Sequence, residues 1–228
     1  MDRRINIGCT ALAVACVVGA ASADPIVTSF PAGDAGYSAL TNGGQLEQGT
    51  AEGRIGNRIN LGAWELALWR RVEVGPFLNL AQLAWGNGQA APFTITYDGA
   101  TSLTYNIGSL TIATSQMGGT FSDIFIRLRA GKSSSVSLSS MRFVGGAIIG
   151  GMLAQQDGQT EYLRISNCET AFPAFTLTGF QTLTWNVNDP PVNSQLGAQF
   201  RMANVVPAPG TAFALLATAP VFLRRRRR

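Results

Sequence analysis

The chain has 228 residues, 46% of them hydrophobic and 13% charged, and a formal net charge of +4. None of these residues is histidine, which excludes a Ser-His-Asp triad, a Cys-His pair, histidine-ligated zinc or copper, and histidine acid/base catalysis. Seven of the 17 basic and one of the 13 acidic groups fall in residues 1–23 and 224–228, leaving ten against twelve between them, a balance of about −2 that offers phosphates no basic surface, so nucleic acid is not expected as a partner.

Residues 1–23 have the layout of a secretory signal peptide. Arg3 and Arg4 precede an almost wholly apolar run, and Ala21-Ser22-Ala23 supplies the small-residue cleavage site. Export and removal of this leader by signal peptidase, between Ala23 and Asp24, are therefore expected. Residues 24–204 form one domain, long enough to bury a substantial core. Cys9 and Cys16 lie in the leader and Cys168 stands alone in the body, so no intramolecular disulfide is available there.

Residues 24–60 are rich in Gly, Ala, Ser and Asn and read as loops with short extended pieces. Residues 61–71 fit a strand through Trp64, Leu66 and Leu68, and fit a helical face through Leu61, Trp64 and Leu68; the strand is favoured. From residue 91 the alternation becomes persistent. Phe93, Ile95 and Tyr97 share a face with threonines opposite, Asp98-Gly99 signals a turn, and Leu103, Tyr105 and Ile107 repeat the pattern as the second arm of a hairpin. Further strands are predicted at 110–113, 123–130, 135–143, 147–153, 161–166, 175–178, 182–187 and 196–202. In the 123–130 segment, Ile124, Ile126 and Leu128 point inward while Arg127 and Arg129 lie outward on a solvated face. Roughly nine or ten strands, with no amphipathic helix among them, predict an all-β antiparallel sandwich or jelly roll.

Little catalytic chemistry is legible. Lys132 and the serines that follow it lack Ser-x-x-Lys spacing and read as a turn entering a strand. A hydrolytic pair could come from Glu65, Glu73, Asp98, Asp123, Asp157, Glu161, Glu169 or Asp189, but Asp98, Asp157 and Asp189 sit in Gly- or Pro-marked turns that account for them without catalysis. The acids are too scattered for a Ca²⁺ loop, and no Gly-rich strand-to-helix turn suggests a nucleotide, so no metal or cofactor is expected. Trp85, beside the flexible Gly86-Asn87-Gly88 turn, is the best candidate for stacking on a sugar; Trp64 and Trp185 read as core.

The last two dozen residues carry the most specific signal. Val206-Pro207-Ala208-Pro209-Gly210 forms a turn, an apolar stretch follows, and Arg224, Arg225, Arg226, Arg227 and Arg228 form a basic cluster that the positive-inside rule places in the cytoplasm. Residues 205–223 would reach about 28 Å as a helix, just enough to span a hydrocarbon core. This layout resembles the PEP-CTERM sorting signal of exported bacterial proteins, with Ala208 where that pattern has glutamate. The resemblance implies recognition by an exosortase. Trp64-Glu65-Leu66-Ala67-Leu68, Phe93-Thr94-Ile95-Thr96-Tyr97-Asp98-Gly99 and Ile126-Arg127-Leu128-Arg129-Ala130 are similar to the tryptophan-type choice-of-anchor domains that such tails carry.

The expectation is a non-enzymatic, exported protein, anchored in or released from the cell envelope, with a structural or adhesive role. The alternative is a carbohydrate-binding surface module that meets extracellular polysaccharide, and after it a carboxylate-dependent glycoside hydrolase.

Overall fold

The computed structural model describes residues 25–55, 65–71, 76–155, 158–167, 171–191 and 195–205. The leader with Ala21, Ala23 and Asp24, the Val206 to Gly210 motif, the arginines 224–228, and Trp64, Glu73, Asp157, Cys168 and Glu169 lie outside the described residues. Among the described residues, no helix is long and apolar enough to cross a membrane.

One helix and thirteen strands are described. In chain order they are β1 (Ile26–Ser29), α1 (Gly33–Leu40), β2 (Glu47–Ile55), β3 (Leu66–Trp69), β4 (Phe77–Ala81), β5 (Ala90–Tyr97), β6 (Leu103–Ile107), β7 (Leu110–Thr114), β8 (Asp123–Arg129), β9 (Ser134–Phe143), β10 (Ile148–Gln155), β11 (Thr160–Ser166), β12 (Phe175–Trp185) and β13 (Leu196–Ala203). They form two antiparallel sheets, ordered β1-β11-β8-β13-β2-β3-β4 and β10-β9-β12-β5-β6-β7. We refer to these as the first and second sheet.

The chain is thus an all-β sandwich, and its strand order defines the topology further. With β1 and the strand pairs β3-β4 and β6-β7 set aside, β2-β13-β8-β11 faces β5-β12-β9-β10. Every step between these eight strands changes sheet except the β9-β10 hairpin, which is the connectivity of a jelly roll. Each added pair extends its own sheet on the same side of the sandwich, where the Asn79 amide of β4 donates to the Ala113 carbonyl of β7 at 2.9 Å.

The alternation of side chains builds the core. Ile124, Ile126 and Leu128 of β8 and Leu196, Ala198, Phe200 and Met202 of β13 meet Phe93, Ile95 and Tyr97 of β5 and Leu103, Tyr105 and Ile107 of β6. One polar tie crosses this core. The Tyr105 hydroxyl donates to Gln181 Oε1 (3.2 Å), and Gln181 Nε2 donates to the Gly53 carbonyl of the opposite sheet (3.0 Å). Gln181 and Tyr105 are fully buried, and these bonds offset the cost of burying their polar atoms.

Most predicted strands match, including the hairpin, which pairs Phe93 with Ile107 and Tyr97 with Leu103. Four expectations are corrected. Of the 24–60 segment, the described residues 25–55 are not mainly loop, since they hold β1, α1 and the nine-residue β2. The small inward residues of β2 conceal it: a Cβ on Gly49 would meet Met117, and one on Gly53 would meet Tyr105 and Gln181, so large neighbours fill the space above this strand. Segments 175–178 and 182–187 belong to one strand, β12, because glycine at 179 fits beneath the Phe93 ring and the Ser139 carbonyl without ending it. The count of nine or ten strands therefore falls short. Finally, Arg127 does not lie on a solvated face.

Candidate functional site

Helix α1 covers part of the outer face of the first sheet, over β8, β11 and β13. Asn42, Gly43 and Gly44 follow the helix with φ of 51°, 64° and 79°, and the Gly43 amide donates to the Ser38 carbonyl at 2.7 Å, which ends the helix and turns the chain into β2. The helix lays Tyr37 edge-on to Phe125 (ring centroids 5.1 Å apart) and stacks it on Tyr162 (6.0 Å), while Phe30 meets Phe125 edge-on at 5.4 Å. Tyr37, Phe125, Tyr162 and Ala203 make a small second core outside the sandwich. Burial pushes the Tyr37 and Tyr162 hydroxyls well above the usual phenol range.

Around that core lies an interlocked polar network. Arg127 of β8 binds Asp34 of α1 through two bonds, Nε to Oδ1 at 2.8 Å and Nη2 to Oδ2 at 2.9 Å, and the Tyr162 hydroxyl donates to Asp34 Oδ1 at 2.5 Å. Glu47 accepts from Tyr37 at 3.1 Å and from the Thr50 hydroxyl. Glu52 accepts from Trp69 Nε1 at 2.9 Å and from Gln199 Nε2 at 3.0 Å. Arg201 Nε donates to Gln199 Oε1 at 2.9 Å, and its guanidinium sits 4.8 Å from the Tyr37 ring centroid. Every carboxylate oxygen of Asp34, Glu47 and Glu52 thus holds at least one bond within the fold. Sequence reading missed Glu47, Glu52, Gln199 and Arg201, although Glu52, Gln199 and Arg201 share strand parity with the outward residues of β2 and β13; Glu47 lies beyond a register shift and breaks that parity.

Partial burial raises the Asp34 pKa, but hydrogen bonds from Arg127 and Tyr162, with the charges of Arg127 and Arg201, outweigh it and hold the carboxyl down at about 2. A depressed carboxylate contributes stability above its unfolded-state pKa, and that contribution is lost as pH falls through the folded value. Asp34→Asn should therefore lower stability at neutral pH and flatten the stability profile between about pH 4 and pH 2. Urea titrations across that interval test it; an unchanged slope would mean that the ion pair contributes nothing.

The outer face of the second sheet has the opposite character. Its six strands contain one charged side chain, Arg142, whereas the first sheet carries Glu47, Glu52, Arg54, Asp123, Arg127, Arg129, Glu161, Arg164 and Arg201. Away from the core, β5, β6, β9 and β12 present Thr94, Thr96, Thr104, Asn106, Ser135, Ser137, Thr176, Thr178, Thr182 and Thr184. Phe180 stands among them, 43% exposed, between Pro92 and Ser139 on the flanking strands.

The remaining candidates are dispersed. Trp85 is half-buried against the core, and its Nε1 donates to the Arg54 carbonyl at 2.8 Å, so its polar edge holds the end of β2. Lys132 Nζ lies 3.8 Å from Asp189 on the surface, and buried Asp123 pairs with Arg164 at 2.7 Å. Asp98 accepts the Ala100 and Ser102 amides at 2.8 and 2.9 Å, closing the hairpin turn. Glu65 accepts the Leu83 amide at 3.1 Å, and Glu161 accepts from Gln159 at 2.7 Å. A cavity of about 290 Å³ opens at one end of the sandwich between Phe143, Phe172, Phe175, Asn167 and Pro25. Among the described residues, no three His, Cys, Asp or Glu side chains cluster as metal ligands.

The chain is, by these features, an antiparallel β-sandwich with one charged face partly covered by α1 and one open, nearly neutral face whose strands carry a single charge, Arg142. Its sequence matches no protein-family model and no curated protein.

Proposed function

We propose that this chain is an exported, non-enzymatic β-sandwich protein, carried to the cell surface or matrix by its leader and PEP-CTERM-like tail, where it has a structural or adhesive role. The observation that supports this most is the partition of charge between the two outer faces. On the first sheet Glu47 is tied to Tyr37 of the helix and to Thr50, Glu52 to Trp69 and Gln199, Asp123 to Arg164 and Glu161 to Gln159, while the second sheet offers a broad surface whose strands carry one charge, Arg142. In this reading signal peptidase cuts before Asp24, an exosortase engages the Pro207-Ala208-Pro209 turn, and the arginines 224–228 hold the tail in the membrane until that step.

Intact-mass measurement on protein recovered from membrane, envelope and medium of the native host tests the proposal. A product starting at Asp24 and ending near Pro207 is expected. A product that keeps Arg224 to Arg228 and occurs only in membranes would overturn the sorting step and leave a permanent anchor.

A further inference from the structure

We infer that the outer face of the second sheet is a binding surface for an uncharged polysaccharide, centred on Phe180. This deepens the adhesive reading above and rests on it for its biological setting, although the chemistry of the face stands by itself.

Register sets the hydroxyls in rows. Thr178 pairs with Thr94, Thr94 with Asn106 and Asn106 with Thr111, while Thr176 pairs with Thr96 and Thr96 with Thr104. On the other side of Phe180, Thr182 pairs with Ser137 and Thr184 with Ser135. Neighbouring strands lie about 4.8 Å apart, so each row places a hydroxyl or amide at a regular interval across the sheet. Threonine is stiff at χ1, which leaves these groups with little side-chain entropy to lose on binding.

Charge selects the partner. A hydroxyl both donates and accepts, as do the hydroxyls of a sugar, and neither side must strip water from an ion when they meet. An anionic polymer would find only Arg142 on these strands, and a cationic one would find no carboxylate. Phe180 supplies an exposed ring at the centre of the face, flanked by Pro92, with Leu153 half-exposed on β10. The apolar C–H faces of sugar rings pack on such a surface while their hydroxyls reach the threonine rows.

The test is depletion of the full chain from solution by insoluble cellulose, chitin and curdlan in high salt, which screens the arginine tail. Binding to at least one of the three is expected. Phe180→Ala should weaken it about tenfold or more, as loss of a central aromatic anchor does. The double variant Thr94→Val/Thr178→Val, which keeps shape and removes two hydroxyls, should weaken it as well. Asp34→Asn, on the opposite face, should leave it unchanged. Three results would overturn the inference: no depletion by any of the polymers, depletion that the Phe180 and threonine variants leave intact, or a dimer in sedimentation that Phe180→Ala dissociates, which would give the face to a second copy. Thermal unfolding of each variant keeps folding separate from binding. A chain that binds glycan but is never exported would sink the proposed location and leave this surface standing, and export without binding would do the reverse.

Discussion

Truncation of Phe200 to alanine should lower the free energy of unfolding by about 3–5 kcal/mol, the largest loss expected from a single core side chain. Phe200 is fully buried on β13, the middle strand of the seven in the first sheet. Its ring lies 5.1 Å from Phe93 and 6.2 Å from Tyr105, so it joins the two layers where the polar tie from Tyr105 through Gln181 to Gly53 also crosses. Removing the ring takes away buried apolar area and leaves a cavity that two packed sheets cannot close by local collapse. In a domain of this size each kcal/mol moves the midpoint by roughly 2–4 °C, so thermal and urea unfolding followed by tryptophan fluorescence both report the change. Phe200→Leu, which fills most of the space, should cost less than about 2 kcal/mol. An alanine variant that loses under about 1 kcal/mol would mean that the two inner faces do not meet at this point.

Different parts of the architecture were legible to different degrees, for physical reasons. Strands β5, β6 and β8 show themselves because bulky residues alternate with polar ones, and tertiary contacts only ratify that pattern. Strand β2 hides because its neighbours Met117, Tyr105 and Gln181 supply the volume, leaving Gly49, Ala51 and Gly53 to face inward. Its sequence carries the polar half of the alternation without the apolar half. Helix α1 is eight residues long and buries mainly Tyr37, so no amphipathic period has room to develop. Arg127 reads as an outward strand residue and does point away from the core, but the helix 93 positions earlier in sequence folds over it and supplies Asp34. The neutral face was legible only in part. Its threonines are visible as alternation, whereas the absence of carboxylates across six strands becomes meaningful once register sets them side by side.

The second large effect is expected at Arg201→Met, which should cost about 3–5 kcal/mol despite the similar length of the new side chain. Arg201 is buried and lies over Tyr37; burial disfavours its charge, but the field of Tyr162, Glu47, Tyr37 and Glu52 outweighs this and raises its pKa. Methionine would fill much of the volume while removing the donor to Gln199 and the cation that faces two buried glutamates. Adding Glu52→Gln removes one of those charges and keeps an acceptor for Trp69, while Gln199, whose Oε1 no longer accepts from Arg201, turns that oxygen to the new amide NH2. The double variant should therefore be more stable than the sum of the single losses predicts, by about 0.5–3 kcal/mol. Strict additivity would mean that Arg201 and Glu52 act independently, and a neutral Arg201→Met would mean that water already solvates the site. The valine replacements at Thr94 and Thr178 should shift stability by no more than about 0.5 kcal/mol, since they lie on an open face. If both results hold, polar groups on the first sheet serve the fold, and those on the second are free to serve adhesion.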